Sequence, residues 1–325
     1  MCRIEFLIGG TWRCVHLKLE GYNPTGSSKD RTAEGLVADL KKRGLLTRSS
    51  ILIESTSGNL GVSLSYFCRE LGHQFLAVID PKTTPEIRDR MLKLGARLEV
   101  VHDADQNGGY LLSRLKRVRE LSAELNCLWT DQYANAANPY AHYRTTAPEI
   151  FAQMNGCVDA IFVAVSTGGT LAGIKRYFSE VSPRTVVIGV DAVGSVAFGG
   201  EPGERKLTGI GSSQRSAFLD LYHDCDYRRV TDRDAFGVCR KLEREIRLHI
   251  GGSSGAVLCA CAQFLAEKSP IKDIVCLCAD GGANYMSTIF SDDWLKSNGF
   301  DPEYYSPVIE GMRGLEPILG DFGRN

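Results

Sequence analysis

Short apolar runs punctuate the chain, each followed by a turn of small polar residues and then a longer stretch with helical spacing. Ile51-Leu-Ile-Glu54 leads into Ser55-Thr-Ser-Gly-Asn-Leu-Gly61 and then Val62 to Leu71. Phe75-Leu-Ala-Val-Ile79 passes through Asp80-Pro-Lys-Thr-Thr-Pro85 into a charged helix reaching Leu94, and Ala160-Ile-Phe-Val-Ala-Val165 meets Ser166-Thr-Gly-Gly-Thr170 before a helix from Leu171 to Phe178. Val186–Val190 and Ile274–Leu277 read as further strands. Strands alternating with helices predict βαβ units, and apolar runs without alternation predict mostly parallel sheets covered on both faces. A seam near Asn135–Pro139 divides two such α/β layers, leaving a crevice at the carboxyl ends of their strands where ligands usually bind. Phe198–Arg205 reads as a loop, and the tail after Trp294 as irregular.

Composition narrows the function classes. A 325-residue chain with 43% hydrophobic and 24% charged residues can bury a sizeable core. With 38 basic against 39 acidic side chains, it offers no electrostatic case for nucleic acid or a membrane surface. No apolar run approaches the length of a bilayer span, and Met1–Gly9 does not read as a signal peptide, so a cytoplasmic protein is expected. The eleven cysteines are odd in number and mostly embedded in apolar segments. Two pairs show C-x-C spacing, Cys259 with Cys261 and Cys276 with Cys278, but buried reduced thiols are the expectation rather than a metal site.

The turns carry the candidate chemistry. Ser166-Thr167-Gly168-Gly169-Thr170 sits between a strand and a helix, where backbone N–H groups and hydroxyls can hold an anion, although a tight βα turn needs no ligand. Its spacing matches neither the P-loop nor the dinucleotide fingerprint. Ser55–Gly61 is a second turn of this kind, able to cradle a carboxylate or simply to cap a helix. His249-Ile-Gly-Gly-Ser-Ser-Gly255 is a third. Lys29, after Gly26-Ser-Ser, stands at a helix start, where a lysine is ordinarily solvated; a desolvated amine there could form a Schiff base.

Read in order, Asn23-Pro-Thr-Gly-Ser-Ser-Lys-Asp-Arg31, Thr56-Ser-Gly-Asn59, Asp131-Gln-Tyr133, Asn138-Pro139, Thr145-Thr146, Ser166–Thr170, Gly209-Ile-Gly211 and Gly251-Gly-Ser-Ser-Gly255 resemble the fold-type II pyridoxal-phosphate enzymes of the cysteine synthase and cystathionine β-synthase family. The resemblance runs from about Val15 to Trp294. It implies two α/β domains, each with a central, mostly parallel twisted sheet flanked by helices. Residues 23–135 would form a smaller N-terminal domain holding the substrate carboxylate, and 1–22 with 136–325 a larger one holding the cofactor phosphate. It further implies pyridoxal 5'-phosphate, amino-acid substrates and a homodimer. Lys29 would hold the cofactor and act as base and acid, Asn59 would meet its phenolic oxygen, and Ser166, Thr167, Gly168, Gly169 and Thr170 its phosphate. Thr56, Ser57, Gly58, Asn59, Gln132 and Tyr133 would bind the substrate, with Gly209 near its amine. Gly281 stands where these enzymes place a serine beside the pyridine nitrogen.

Some positions differ from a plain O-acetylserine sulfhydrylase: Ser166 in place of glycine, Leu60 in place of threonine, and Tyr133 where phenylalanine is common. Arg114 and Arg144 would add cations suited to a phosphate leaving group. Ala77–Thr84, Asp131–Pro139, Val190–Val196 and Ser291–Trp294 look like the branch that joins O-phospho-L-serine to L-glutamate through an aminoacrylate, serving 2,3-diaminopropionate in siderophore or antibiotic biosynthesis. The alternatives are a sulfur β-replacement enzyme, such as a cysteine synthase using O-acetylserine or O-phosphoserine, and a catalytically weak regulatory homologue.

Overall fold

The computed structural model describes residues 1–104, 109–219, 225–267 and 271–314. Two sheets organise them. The first strands, β1 (Cys2–Ile8) and β2 (Thr11–Leu19), form a hairpin closed by Gly9 and Gly10, both at positive φ as a two-residue turn requires. Along β1, Ile4, Phe6 and Ile8 face the core while Arg3 and Glu5 face outward. The chain then enters α1 (Lys29–Lys42) and leaves this sheet.

A four-stranded, all-parallel sheet follows, made of β3 (Ile51–Ser55), β4 (Gln74–Ile79), β5 (Arg97–Val100) and β6 (Leu128–Trp129) in the order β5-β4-β3-β6. The helices α2 (Asn59–Leu71), α3 (Pro85–Lys93) and α4 (Leu111–Leu125) connect its strands. Thr84 caps α3 from its hydroxyl and Pro85 occupies the first helical position, where its missing N–H costs nothing.

Two short helices, α5 (Ala137–Arg144) and α6 (Thr146–Gln153), carry the chain back to the larger sheet. There β7 (Ala160–Ala164), α7 (Gly169–Val181), β8 (Val186–Ala192), β9 (Tyr227–Val230), α8 (Asp232–Ile246), α9 (Gly252–Glu267) and β10 (Ile274–Cys278) complete a parallel set with β2. After α10 (Asp292–Ser297), β11 (Gly311–Gly314) pairs antiparallel with β1, giving the order β11-β1-β2-β10-β7-β8-β9. This edge strand departs from the irregular tail expected. Gly-Met-Arg-Gly has no apolar alternation, and the strand forms because the free edge of β1 accepts its backbone. Two helices also begin earlier than expected, at Asn59 and Gly169.

The central strands β7, β8 and β10 are buried nearly throughout, and α9, apolar on all sides, lies against them. Cys276 and Cys278 share a face of β10 and point at α9, where they meet Cys261 and Ser254. Helix α5 is the wedge between the two halves: Gly35 of α1 and Gly173 of α7 leave room for its backbone to approach from either side.

The entry to α1 is held by charge. Arg31 donates to Glu20 through Nε (2.6 Å) and to Glu149 through both terminal nitrogens (2.7 Å each), and Lys18 also reaches Glu149. Burial disfavours the guanidinium, but Glu149 and Glu20 outweigh it and raise its pKa. Glu20 is almost wholly enclosed. Replacing Arg31 with Met strands its charge beside a lone, more distant Lys18 (3.9 Å). We expect the Arg31→Met protein to lose about 3 kcal/mol of stability, read as a lowered urea midpoint at unchanged slope.

Candidate active site

The carboxyl ends of β3, β6, β7 and β10 converge, and the conspicuous turns of the sequence leave from them. Thr56 N–H bonds to Val78 O (3.0 Å), fixing the Thr56-Ser57-Gly58 turn that opens α2 at Asn59. Beyond β6, Gln132 donates its side-chain amide to Ser55 O (2.8 Å), and Asn138 donates to Gln132 O (2.7 Å) and Thr167 Oγ1 (3.2 Å). One network therefore joins the turn after β3 to the turn after β7.

The second turn is shaped for an anion. Gly168 has φ +86° and caps α7; the Gly169 N–H donates to Thr167 Oγ1 (3.3 Å), and the next amides of the first turn point out of the helix start. A Cβ on Gly169 would collide with the Asn138 amide, and Ser216 Oγ backs the turn by donating to Thr167 O (2.6 Å). Thr167 is buried, while Ser166 and Thr170 are partly exposed.

Lys29 opens α1 between these turns. Ser28 N–H docks on Ala279 O (2.7 Å), Ser27 bridges Asp280, and the Asp30 carboxylate accepts from Thr25 N–H (2.7 Å). The Lys29 amine has no hydrogen bond or ion pair among the described residues; burial pushes its pKa down, opposed by Asp280 and then Glu20. Asp280 is itself buried and pushed up by desolvation, against Tyr285, Asn59 and Lys29. Its Oδ2 accepts from Asn59 (2.7 Å) and the Tyr285 hydroxyl (2.5 Å), while Oδ1 is buried without a partner.

The remaining candidates divide. Gly209, at φ +75°, lies near Ser253 Oγ and the Tyr285 hydroxyl. Gly281 faces open space and borders a cavity of about 590 Å³ lined also by Thr25, Arg90 and Asn284. Arg114 is buried and paired with Asp80 (3.3 Å). Burial raises the Tyr133 pKa, and the nearby Arg114 and Arg205 pull it back. Arg144 does not join them: it is exposed on α5, over the Tyr140 ring.

Sequence reasoning assigned no role to His142. Burial first, then Lys29 and Arg31, hold this imidazole neutral, with Nδ1 on Thr146 (2.8 Å) and Nε2 shared by Thr32 of α1 (3.0 Å) and Thr170 of the anion turn (3.2 Å). It thereby couples the lysine helix to the turn. Its only sequence signal is a Thr four positions on, too common to notice.

A desolvated amine without a partner, an uncapped helix start and an orphaned carboxylate oxygen suit an aldehyde cofactor carrying phosphate. These features, at the carboxyl edges of two mostly parallel sheets, define a cofactor-dependent enzyme of the α/β class. The chain belongs to the pyridoxal-phosphate dependent enzyme family, whose model matches residues 5–280, and its cofactor is pyridoxal 5'-phosphate. It is similar to the O-acetylserine dependent cystathionine beta-synthase from Helicobacter pylori, at 30% identity over 85% of this chain and 89% of that one, with a TM-score of 0.79. An O-ureido-L-serine synthase is 28% identical over 91% and 96% of the two chains, TM-score 0.79. A hydrogen sulfide-producing enzyme from Fusobacterium nucleatum is 29% identical over 87% and 95%, TM-score 0.79. No helix among the described residues is long and apolar enough to cross a membrane.

Beneath the site lies Glu54, fully enclosed at the end of β3. Burial pushes its pKa up to about 7, although Thr130, Gln132, Trp129 and Ser55 all donate to it. The free side chain titrates near 4.5, so between these values the folded state binds more protons and stability falls as pH rises. Replacing Glu54 with Gln should remove this component. From about pH 5 to about pH 8 the wild type should lose on the order of 3 kcal/mol more than Glu54→Gln, measured as the difference between their urea-unfolding free energies.

Proposed function

We propose that the protein catalyses β-replacement on an activated L-serine, joining O-phospho-L-serine and L-glutamate into N-(2-amino-2-carboxyethyl)-L-glutamate with release of phosphate. The observation carrying the general reaction is the desolvated Lys29 amine, linked through Thr32 and His142 to the open start of α7. Bound pyridoxal phosphate supplies the electron sink for charge left at the substrate's α-carbon. Lys29, its pKa lowered by burial, is the amine that takes the α-proton and later returns it. The Thr56–Asn59 turn and Gln132 hold the α-carboxylate, orienting the α C–H toward Lys29. The two guanidiniums near Tyr133, Arg114 and Arg205, support an anionic leaving group or a dicarboxylate nucleophile.

A second reading, sulfur replacement of a group that is uncharged while still esterified to the serine, such as acetyl, is favoured by the Arg114–Asp80 pair, which already balances one of those charges. The Helicobacter and Fusobacterium proteins, named for sulfur chemistry, support it too.

Mass spectrometry of reactions containing O-phosphoserine, alone and then with glutamate, separates the readings. The diamino-tricarboxylic product is expected; turnover of O-acetylserine with sulfide, but none of O-phosphoserine with glutamate, would replace the first reading by the second. Lys29→Ala should lower turnover at least about a thousandfold, and a fully active variant would remove the lysine from its role.

A further inference from the structure

Four side chains run in single file behind the lysine. Arg90 of α3 donates through Nη1 to Asn284 Oδ1 (2.7 Å) and through Nη2 to Thr25 O (2.6 Å). Asn284 Nδ2 donates to Asn59 Oδ1 (2.9 Å), and Asn59 Nδ2 donates to Asp280 Oδ2 (2.7 Å). The two ends have fixed polarity. A guanidinium can only donate, and an ionised carboxylate can only accept.

The amides between them have no such restriction by themselves, since a flip exchanges oxygen and nitrogen in nearly the same volume. Held between a donor and an acceptor, neither can flip alone. Arg90 demands the oxygen of Asn284, which leaves its nitrogen for Asn59. Asn59 must answer with its oxygen, so its nitrogen faces Asp280. A primary amide carries two N–H bonds, and Asp280 uses one. That leaves the second for a ligand.

We propose that Arg90 and Asn284 are positioning residues that set the polarity of Asn59, so that it presents an N–H and never a carbonyl oxygen to an anionic oxygen of pyridoxal phosphate beside Lys29. The relay crosses the molecule: Arg90 stands on a helix of the four-stranded half, and Asn284 in the turn that follows β10 of the other. Both border the 590 Å³ cavity. The inference rests on the cofactor, and on neither substrate.

The test reads the absorption spectrum of the cofactor-loaded protein and the pyridoxal-phosphate affinity of the stripped protein, without substrate. A latch between halves and a polarity relay predict opposite results for Asn284→Asp. The aspartate pairs more strongly with Arg90, which would help a latch, but it faces Asn59 Oδ1 with an acceptor. We expect Asn284→Asp to lose much of the visible-violet band to the near-ultraviolet and to bind pyridoxal phosphate about tenfold more weakly. Arg90→Met should do the same, and Arg90→Lys, which still donates, should stay within about twofold of wild type. A wild-type spectrum and affinity in Asn284→Asp would overturn the relay, as would an Arg90→Lys protein damaged as badly as Arg90→Met. Thermal melts identify any variant that fails to fold; if Asn284→Asp does, the two Arg90 variants decide. Wild-type protein that takes up no pyridoxal phosphate would instead refute the cofactor reading itself.

Discussion

The site depends on how α1 is seated. An amine at the first position of a helix is normally wet, and here it is half-buried because the preceding loop is pinned at several points. Ser28 hydrogen-bonds the chain beyond β10, Asp30 folds back on Thr25, and Arg31 grips Glu20 and Glu149. A half-buried guanidinium between enclosed Glu20 and partly exposed Glu149 has little freedom, since a shift away from Glu20 leaves that carboxylate unmatched in a poorly solvating interior. The cluster therefore fixes where Lys29 stands relative to β10, α6 and the end of β2. Once it does, desolvation lowers the amine's pKa with no further device.

Polar groups around the lysine are arranged to leave it alone. His142, the nearest imidazole able to compete for protons, is held neutral and occupied by three threonines. Asp280, the nearest carboxylate, is engaged by Asn59 and Tyr285 instead of pairing with Lys29. The surroundings are thus a hydrogen-bonded network that leaves one Asp280 oxygen unpaired and keeps clear of the amine and of the helix start of α7. Those are the two groups that a phosphate-bearing aldehyde needs.

Much of the fold was legible because the burial it requires is written locally. Apolar runs such as Ala160–Val165 and Ile274–Leu277 cannot be half-exposed strands, so a parallel sheet covered by helices follows from them. Strand β11 was not legible, because a short edge strand is selected by the backbone it pairs with and not by its own side chains. The same division holds in the site. The glycines of the Ser166–Thr170 turn announce a close approach, and the structure fills it with Ser216 and Asn138. Arg144 misled, because a charge near a motif says nothing about which side of its helix faces the cleft.

What the sequence by itself determined was the set of local conformations: which runs are strands, which turns open helices with free amides, and which lysine opens α1. These follow from residue-level sterics and solvation acting over a few positions. The tertiary structure alone decided pairing across long separations, because such pairs depend on how helices and strands dock. His142 meeting Thr32 and Thr170, Arg90 reaching Asn284, and Asn59 meeting Asp280 each join segments with no mutual signature in the chain. A solvated lysine and a desolvated one have the same neighbours in sequence. Only the docking of the loop before α1 against the chain beyond β10 separates the two.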